Sequence, residues 1–315
     1  MEKDILLEVK NLVKKFPYEK SFFGKVKKSV KAIDDVSFIL REGETLAIVG
    51  ESGSGKSTVA KVILGIVKED SGDVIKEKEE KRFIQMIFQD PYSSLDPSME
   101  IKDIMEEGIL YHKLATKENV KSKVIELLEL CGLNEDVLDR YPREFSGGQR
   151  QRVAIARALS LNPKIIIADE AVSALDVSMQ AQIINLMIKL QKERGLSYIF
   201  ISHDLNVVKY IASRVAVMYL GSIVEIGDKS QIYKNPKHPY TKALIDSVPI
   251  SHPKDRGKRV LLKGEIASKI ENIEGCSFYS RCQRAKDICK TKRPKLIEIE
   301  KNNFVACHYP INEEQ

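Results

Sequence analysis

A chain of 315 residues is long enough for one large core with a smaller appendage, because single cores stop growing near ~250–300 residues. With 43% apolar and 30% charged residues and a mean hydropathy of -0.24, it reads as an ordinary folded soluble chain, which excludes wholesale disorder and a disulfide miniprotein. The formal charge of +6 is too mild to argue for nucleic acid as a partner. No apolar run approaches the ~18–20 residues of a membrane-spanning helix, and Met1-Glu2-Lys3-Asp4 carries acids where a secretory signal needs a basic patch, so a cytosolic chain is expected.

In chain order, Ile5-Leu6-Leu7-Glu8-Val9 and Val36-Ser37-Phe38-Ile39-Leu40 read as two short strands. The stretch from Lys20 to Lys31, with no acid after Lys20, reads as a long basic loop between them. Thr45 to Val49 is a compact apolar strand, followed by a Gly/Ser-rich turn and by Thr58 to Val67 at helical spacing. Residues 90–160 have helical periodicity, at Ile101 to Leu110 and Val120 to Cys131, and no strand-like run. They read as a helical subdomain inserted into an α/β core. Buried-type strands follow at Lys164 to Ala168 and Ser197 to Ser202, separated by a helix near Met179 to Arg194, and then at Val215 to Tyr219 before a Gly221 turn. Apolar strands alternating with helices predict a parallel sheet covered on both faces. Prolines at 236, 239, 249 and 253 mark the end of that core, giving domains at 1–245 and 246–315. The last seventy residues hold 14 Lys/Arg against 10 Asp/Glu and four of the five cysteines, and so read as a separate unit.

Three segments carry chemistry. Gly50-Glu51-Ser52-Gly53-Ser54-Gly55-Lys56-Ser57-Thr58 fits G-x-x-x-x-G-K-[ST] between a strand and a helix, where backbone N–H groups can close around phosphate oxygens. Lys56 is expected to neutralise the β/γ phosphates of ATP, and Ser57 to complete an Mg²⁺ shell. Asp169 and Glu170 end a buried strand, where a parallel sheet places ligands. Asp169 can hold Mg²⁺ through water, and Glu170 can orient or deprotonate the attacking water. The third segment is Ser146-Gly147-Gly148-Gln149-Arg150-Gln151-Arg152, just upstream of those acids.

That third segment resembles the signature of ATP-binding cassette proteins, and further family elements appear in the expected order along the chain. They are Gln89 in Ile87-Phe88-Gln89-Asp90, Ser173-Ala174-Leu175-Asp176, and His203 in Ile201-Ser202-His203-Asp204. A lone histidine is usually structural and a lone glutamine usually surface; five elements in one order are not coincidental. The resemblance implies a P-loop cassette with a parallel-sheet core, an antiparallel β subdomain, an inserted helical subdomain and a small Cys-rich extension. It also implies that two cassettes face each other head to tail. Each ATP then lies between one cassette's phosphate loop and the other's Ser146, Gly147, Gly148 and Gln149, with Asp176 among the nucleotide-contacting residues. By the same resemblance His203 contacts the γ-phosphate, Gln89 senses Mg²⁺ and the attacking water, and Phe16 stacks on adenine, with Tyr18 the alternative platform.

The strings Ile87 to Pro97 and Asn235-Pro236-Lys237-His238-Pro239-Tyr240-Thr241 resemble, within that family, the ATPase subunits of oligopeptide, dipeptide and nickel importers. This implies a second ATPase subunit, identical or paralogous, and two transmembrane permease subunits. It also implies an extracellular substrate-binding protein acting indirectly, and a place on the cytoplasmic face of the cell membrane, with no nucleic acid partner. The other class considered, a soluble cassette acting on ribosomes or DNA, is disfavoured. Ribosome-acting relatives carry two cassettes per chain, and chromosome-maintenance relatives place a long coiled coil where Lys56 to Ser146 spans only 90 positions. Two departures stand out. Asp73 to Arg82 is shorter and more charged than the family's strand-rich stretch, which leaves the edge of the β subdomain undefined. Ala171 replaces a common proline, a change that activity is expected to survive.

Cys276, Cys282, Cys289 and Cys307 have intervening gaps of 5, 6 and 17 residues, without the C-x₂₋₄-C pair of most zinc sites. The family resemblance implies a [4Fe–4S] cluster on these four; zinc is the alternative and simple reduced thiols the plainer reading. His308 is a substitute ligand, and Cys131 reads as a buried packing residue.

Overall fold

The computed structural model describes residues 4–20, 26–80, 82–247 and 273–311. Strands are β1 Ile5–Lys20, β2 Val26–Arg41, β3 Thr45–Val49, β4 Ser71–Lys76, β5 Ile84–Ile87, β6 Ile165–Asp169, β7 Ser197–Ser202, β8 Arg214–Tyr219, β9 Ser222–Asp228, β10 Ile297–Glu300 and β11 Asn303–Val305. Helices are α1 Lys56–Ile63, α2 Pro91–Ser94, α3 Ile101–Tyr111, α4 Val120–Leu130, α5 Gly147–Leu159, α6 Val177–Arg194, α7 Leu205–Ile211, α8 Lys229–Lys234, α9 Pro239–Asp246 and α10 Asp287–Thr291. The chain divides into two compact units, one from residues 1–6, 40–45 and 76–202 and the other from 7–39, 46–75 and 203–315.

In the first unit β5, β6 and β7 form a parallel sheet, with Ile84 opposite Ile165 and Ile165 opposite Ser197. Every residue of β6 and β7 is buried, which is why these strands read as unbroken apolar runs. Helix α4 buries Val120, Val124, Leu127 and Leu128 on one stripe, and α3 buries Ile101, Ile104, Met105 and Ile109. The two stripes meet each other and α5, and each such side chain contributes about 1.5–3 kcal/mol of transfer free energy. Between β5 and β6 the described residues are helical or irregular, with no strand.

The second unit holds two sheets. One orders its strands β2-β1-β4. The other contains β3, parallel to β8 with Leu46 opposite Arg214, followed by β9, β11 and β10 in antiparallel pairs. A purely parallel core is thus corrected to a mixed sheet. The cause is a two-residue hairpin: Leu220 at φ 45° and Gly221 at φ 90° turn the chain straight back from β8 into β9.

Three other expectations change. The two short strands extend to sixteen residues each, so most of the basic stretch Lys20 to Lys31 is strand rather than loop; residues 21–25 of it lie outside the described residues. Among the side chains described, burial falls on Leu6, Leu7, Val9 and Leu12 of β1 and on Ala32, Ile33, Val36, Phe38 and Leu40 of β2. The stretch Asp73 to Arg82 contributes β4, which closes the edge of the three-stranded sheet up to Lys76. Finally, the described tail does not stand apart, because β11 pairs with β9 through Phe304 opposite Ile226 and Val305 opposite Glu225.

Candidate functional site

The second unit carries the phosphate loop. β3 ends at Val49, the loop runs through Gly50, Ser52, Gly53, Ser54 and Gly55, and α1 opens at Lys56. Glycine is required at two of these positions. Gly50 has φ 149°, and a Cβ there would lie 2.2 Å from the Met218 carbonyl oxygen. Gly55 has φ 113°, and its Cβ would lie 2.2 Å from that of Ala32. Lys56 is buried, and its Nζ donates to the carbonyl oxygens of Gly50 at 2.8 Å and Glu51 at 3.0 Å. The loop therefore curls around its own ammonium group. Ser57 and Thr58 follow on the first helical turn, where Thr58 N donates to Gly55 O at 3.1 Å. Phe16 on β1 is 40% exposed, with Lys14 Nζ 5.6 Å from its ring centre, and Tyr18 is 66% exposed. Both rings present a free face of the kind base stacking uses. His203 is exposed immediately before α7, whose N-cap is Asp204.

The first unit carries the acids and the signature. Asp169 is buried at the end of β6, and Glu170 follows at φ 50°, a left-handed conformation that a non-glycine residue adopts at a cost of about 1–2 kcal/mol. Its backbone is held on both sides: Glu170 N donates to Ile201 O at 2.9 Å, and its carbonyl accepts from Ser173 N at 3.0 Å and Ser173 Oγ at 2.9 Å. Gln89 Nε2 donates to Glu170 Oε2 at 2.8 Å, so these two predicted residues meet directly. Ser146 caps α5. Its Oγ accepts from Gln149 N at 3.4 Å, and Gln149 Oε1 accepts from Ser146 N at 3.0 Å. The signature's S-x-x-Q spacing is thus also a capping box, which fixes Gly147 and Gly148 as the first helical turn. Asp176 caps α6 in the same way, accepting from Met179 N at 2.9 Å.

In the second unit the four tail cysteines line one pocket together with His238, Phe278, Arg284, His308 and Tyr309. The free space among them is about 10 Å³, room for one water-sized group. All four are free thiols, and burial pushes Cys276 and Cys307 up to about 11. His238 Nδ1 accepts from Tyr240 N at 3.0 Å, which puts the proton on Nε2, and that buried atom has no hydrogen-bond partner. His308 Nε2 is engaged at 2.7 Å from the Lys292 carbonyl. Among the described residues no group of three or more His, Cys, Asp or Glu is arranged to hold a metal ion, so the four cysteines share a pocket without forming a coordination shell. Cys131 is buried in the first unit, as expected of a packing residue.

Comparison with known proteins gives two family matches. The profile described as "ABC transporter" matches residues 33–173, and that described as "Oligopeptide/dipeptide transporter, C-terminal region" matches residues 224–289. A putative oligopeptide transport ATP-binding protein of Bacillus subtilis, YkfD, is 49% identical over 98% of this chain and 97% of its own length. The chain belongs to the ABC transporter ATP-binding family, in its oligopeptide/dipeptide branch. The dipeptide transport ATP-binding protein DppF of Escherichia coli is 46% identical over 96% of this chain and 93% of its own. Among solved structures, the dimeric ATP-binding cassette MJ0796 bound to ADP and phosphate matches with a TM-score of 0.62 at 29% identity, covering 71% of this chain and 99% of that one. This cassette is therefore an ABC ATPase that couples ATP hydrolysis to transport, and cassettes of this kind dimerise and partner permease subunits. No helix among its described residues is long and apolar enough to cross a membrane.

Sequence reasoning missed one cluster. Glu225, fully buried in β9, accepts from Lys237 N and His238 N, both at 2.8 Å, and Tyr240 Oη accepts from Glu51 N at 3.0 Å. The Asn235 to Thr241 string is thus a strap from the sheet to the phosphate loop. The signal was present in that string, but only as a family marker.

Proposed function

We propose that this cassette is the ATP-hydrolysing subunit of an importer for oligopeptides or dipeptides, on the cytoplasmic face of the cell membrane. Its partners are a second cassette, identical or paralogous, two permease subunits and, indirectly, an extracellular binding protein. The observation that supports the substrate class is the match of residues 224–289 to the C-terminal region of oligopeptide/dipeptide transporters, the region that also contains the strap to the phosphate loop. Residues 1–245 act as the cassette and 246–315 as an extension joined to it through β11.

The residues divide the work as follows. The N–H groups of Gly50 to Gly55 and the Lys56 ammonium cradle the phosphates. Ser57 and, separately, Asp169 are assigned to Mg²⁺, which would neutralise phosphate charge when bound, and Gln89 would sense it. Phe16 supports the base. Glu170 accepts a proton from, or orients, the attacking water, and its contact with Gln89 supports that assignment; His203 helps place the water. Ser146, Gly147, Gly148 and Gln149 at the start of α5, with Asp176, serve the nucleotide held by the partner cassette. Closure of two cassettes on ATP then drives the membrane subunits.

For the tail, four soft thiols that line one cavity are the ligand type of a thiolate-ligated centre, which they would have to close around to form its shell, and a [4Fe–4S] cluster is favoured over zinc. Such a centre would supply a covalent staple for a tail too small to fold alone, and Cys276, Cys282, Cys289 and Cys307 would hold it. Recovery of the tagged chain from detergent-solubilised membranes tests the importer reading: hydrophobic permeases should accompany it, and ribosomes or DNA in their place would reject it. Anaerobic purification should give brown protein with about four iron and four sulfide per chain. Colourless protein with stoichiometric zinc would replace the cluster assignment.

A further inference from the structure

Residue 51 of the phosphate loop is gripped at all of its polar groups, and two of the grips come from beyond residue 239. Its N–H donates to Tyr240 Oη at 3.0 Å, its carbonyl accepts from Lys56 Nζ at 3.0 Å, and its carboxylate takes both arms of one guanidinium, Arg281 Nη1 at 2.9 Å and Nη2 at 3.1 Å. The Arg281 side chain is 5% exposed. It also donates to Tyr219 Oη at 3.3 Å, on the strand whose Met218 carbonyl abuts Gly50. Arg281 sits in the short helical turn between Cys276 and Cys282, and Phe278 of that turn packs on the rings of Tyr219, Tyr240 and His238 at 5.3, 5.4 and 5.9 Å. A bidentate, buried arginine–carboxylate pair of this kind fixes geometry as well as charge.

We propose that Arg281 is a positioning residue for ATP, which locks Glu51 and so ties the conformation and charge of the phosphate loop to the cysteine-lined turn of the tail. Two physical effects work together. When Lys56 turns to phosphate it releases the carbonyls of Gly50 and Glu51, leaving Tyr240 and Arg281 to hold the loop open at its first turn. Glu51 also brings a negative charge to a loop built for phosphates, and Arg281 cancels it at contact distance; without Arg281 that charge faces the nucleotide in a poorly screened setting. The coupling runs through the turn that carries Cys276 and Cys282, so whatever orders those cysteines also orders the loop. It rests on the ATP-binding reading of the loop, not on the identity of any centre in the cysteine pocket.

The test is the Kd for Mg-ATP of the purified full chain, by calorimetry, with kcat and KM measured in parallel. Arg281→Ala should raise Kd and KM about tenfold, equivalent to about 1.4 kcal/mol, while kcat at saturation changes less than threefold. In the Glu51→Gln background, which removes the charge that Arg281 cancels, the same substitution should cost threefold or less. If Arg281→Ala does not fold, Arg281→Lys carries the test with an expected threefold loss, likewise reduced beside Glu51→Gln. A merely structural arginine lowers melting temperature without splitting KM from kcat and without depending on residue 51. An ATP Kd within twofold of wild type in Arg281→Ala, or a loss undiminished by Glu51→Gln, overturns the proposal. Wild-type chain that fails to bind ATP at all would instead overturn the reading beneath it.

Discussion

Replacing Glu170 by glutamine isolates the chemical step. The backbone of residue 170 is held by Ile201 O, Ser173 N and Ser173 Oγ, none of which involves its side chain, so the left-handed turn survives the substitution. What changes is one carboxylate. The bond from Gln89 Nε2 at 2.8 Å becomes a neutral pair, a loss of about 1 kcal/mol at a half-exposed position and within the error of most melting curves. A general base contributes about 10²–10⁴ in rate, or about 3–5 kcal/mol of barrier. Glu170→Gln should therefore keep its melting temperature and ATP affinity while phosphate release falls by at least a hundredfold. Steady-state phosphate release on the assembled transporter, with calorimetric ATP binding alongside, reads both. Turnover within threefold of wild type would refute the role of Glu170, and equal losses of binding and turnover would show that the carboxylate acts on the nucleotide rather than on water.

Other substitutions test other parts of the account. Gly55→Ala places a Cβ 2.2 Å from the Ala32 carbonyl at φ 113°, and should cost about 3 kcal/mol or more in chemical denaturation; a cost under about 1 kcal/mol would show that the loop relaxes freely. Burial pushes the Cys131 thiol up to about 12, which leaves about one molecule in 10⁴ as thiolate at pH 8. Cys131→Ala should then leave the count of fast-reacting thiols in native protein unchanged and lower it by one in denaturant; a lower native count would contradict its burial. Burial holds His238 down at about 3, against 6.5 unfolded. The unfolded chain takes up the proton first, so the His238 contribution is fully present well above pH 6.5 and is lost as pH falls toward 3, by about 1.6 kcal/mol between pH 6.5 and 5. His238→Asn keeps an acceptor for Tyr240 N and does not titrate, so its stability should lose that much less than wild type over the same interval; parallel pH profiles would refute the buried neutral state.

The elements legible in the sequence are those whose pattern is local. β6 and β7 are buried along their whole lengths and so read as apolar runs, and α3 and α4 repeat their apolar stripe at three and four residues. The helix after the phosphate loop begins at Lys56, two residues before the expected Thr58, because a lysine and a serine at the start carry no apolar periodicity. The outer halves of β1 and β2 were hidden because their sequence is rich in lysine rather than in apolar residues, and backbone pairing leaves no mark on composition. β9 was hidden behind a two-residue turn, and β11 is identifiable only from its partner. At the candidate site the motif residues could be named, but not their mutual contacts. Gln89 and Glu170 lie 81 residues apart, and Arg281 and Glu51 lie 230 apart, separations at which no periodicity carries information.

The central claim is that this chain supplies a phosphate loop and a signature that serve two nucleotides only when a second cassette is present. Sedimentation of the Glu170→Gln protein with the cassette that copurifies with it, with and without Mg-ATP, tests this most directly. The account predicts that ATP shifts the mass from one cassette to two and that ADP does not; an unchanged mass at saturating ATP would contradict it.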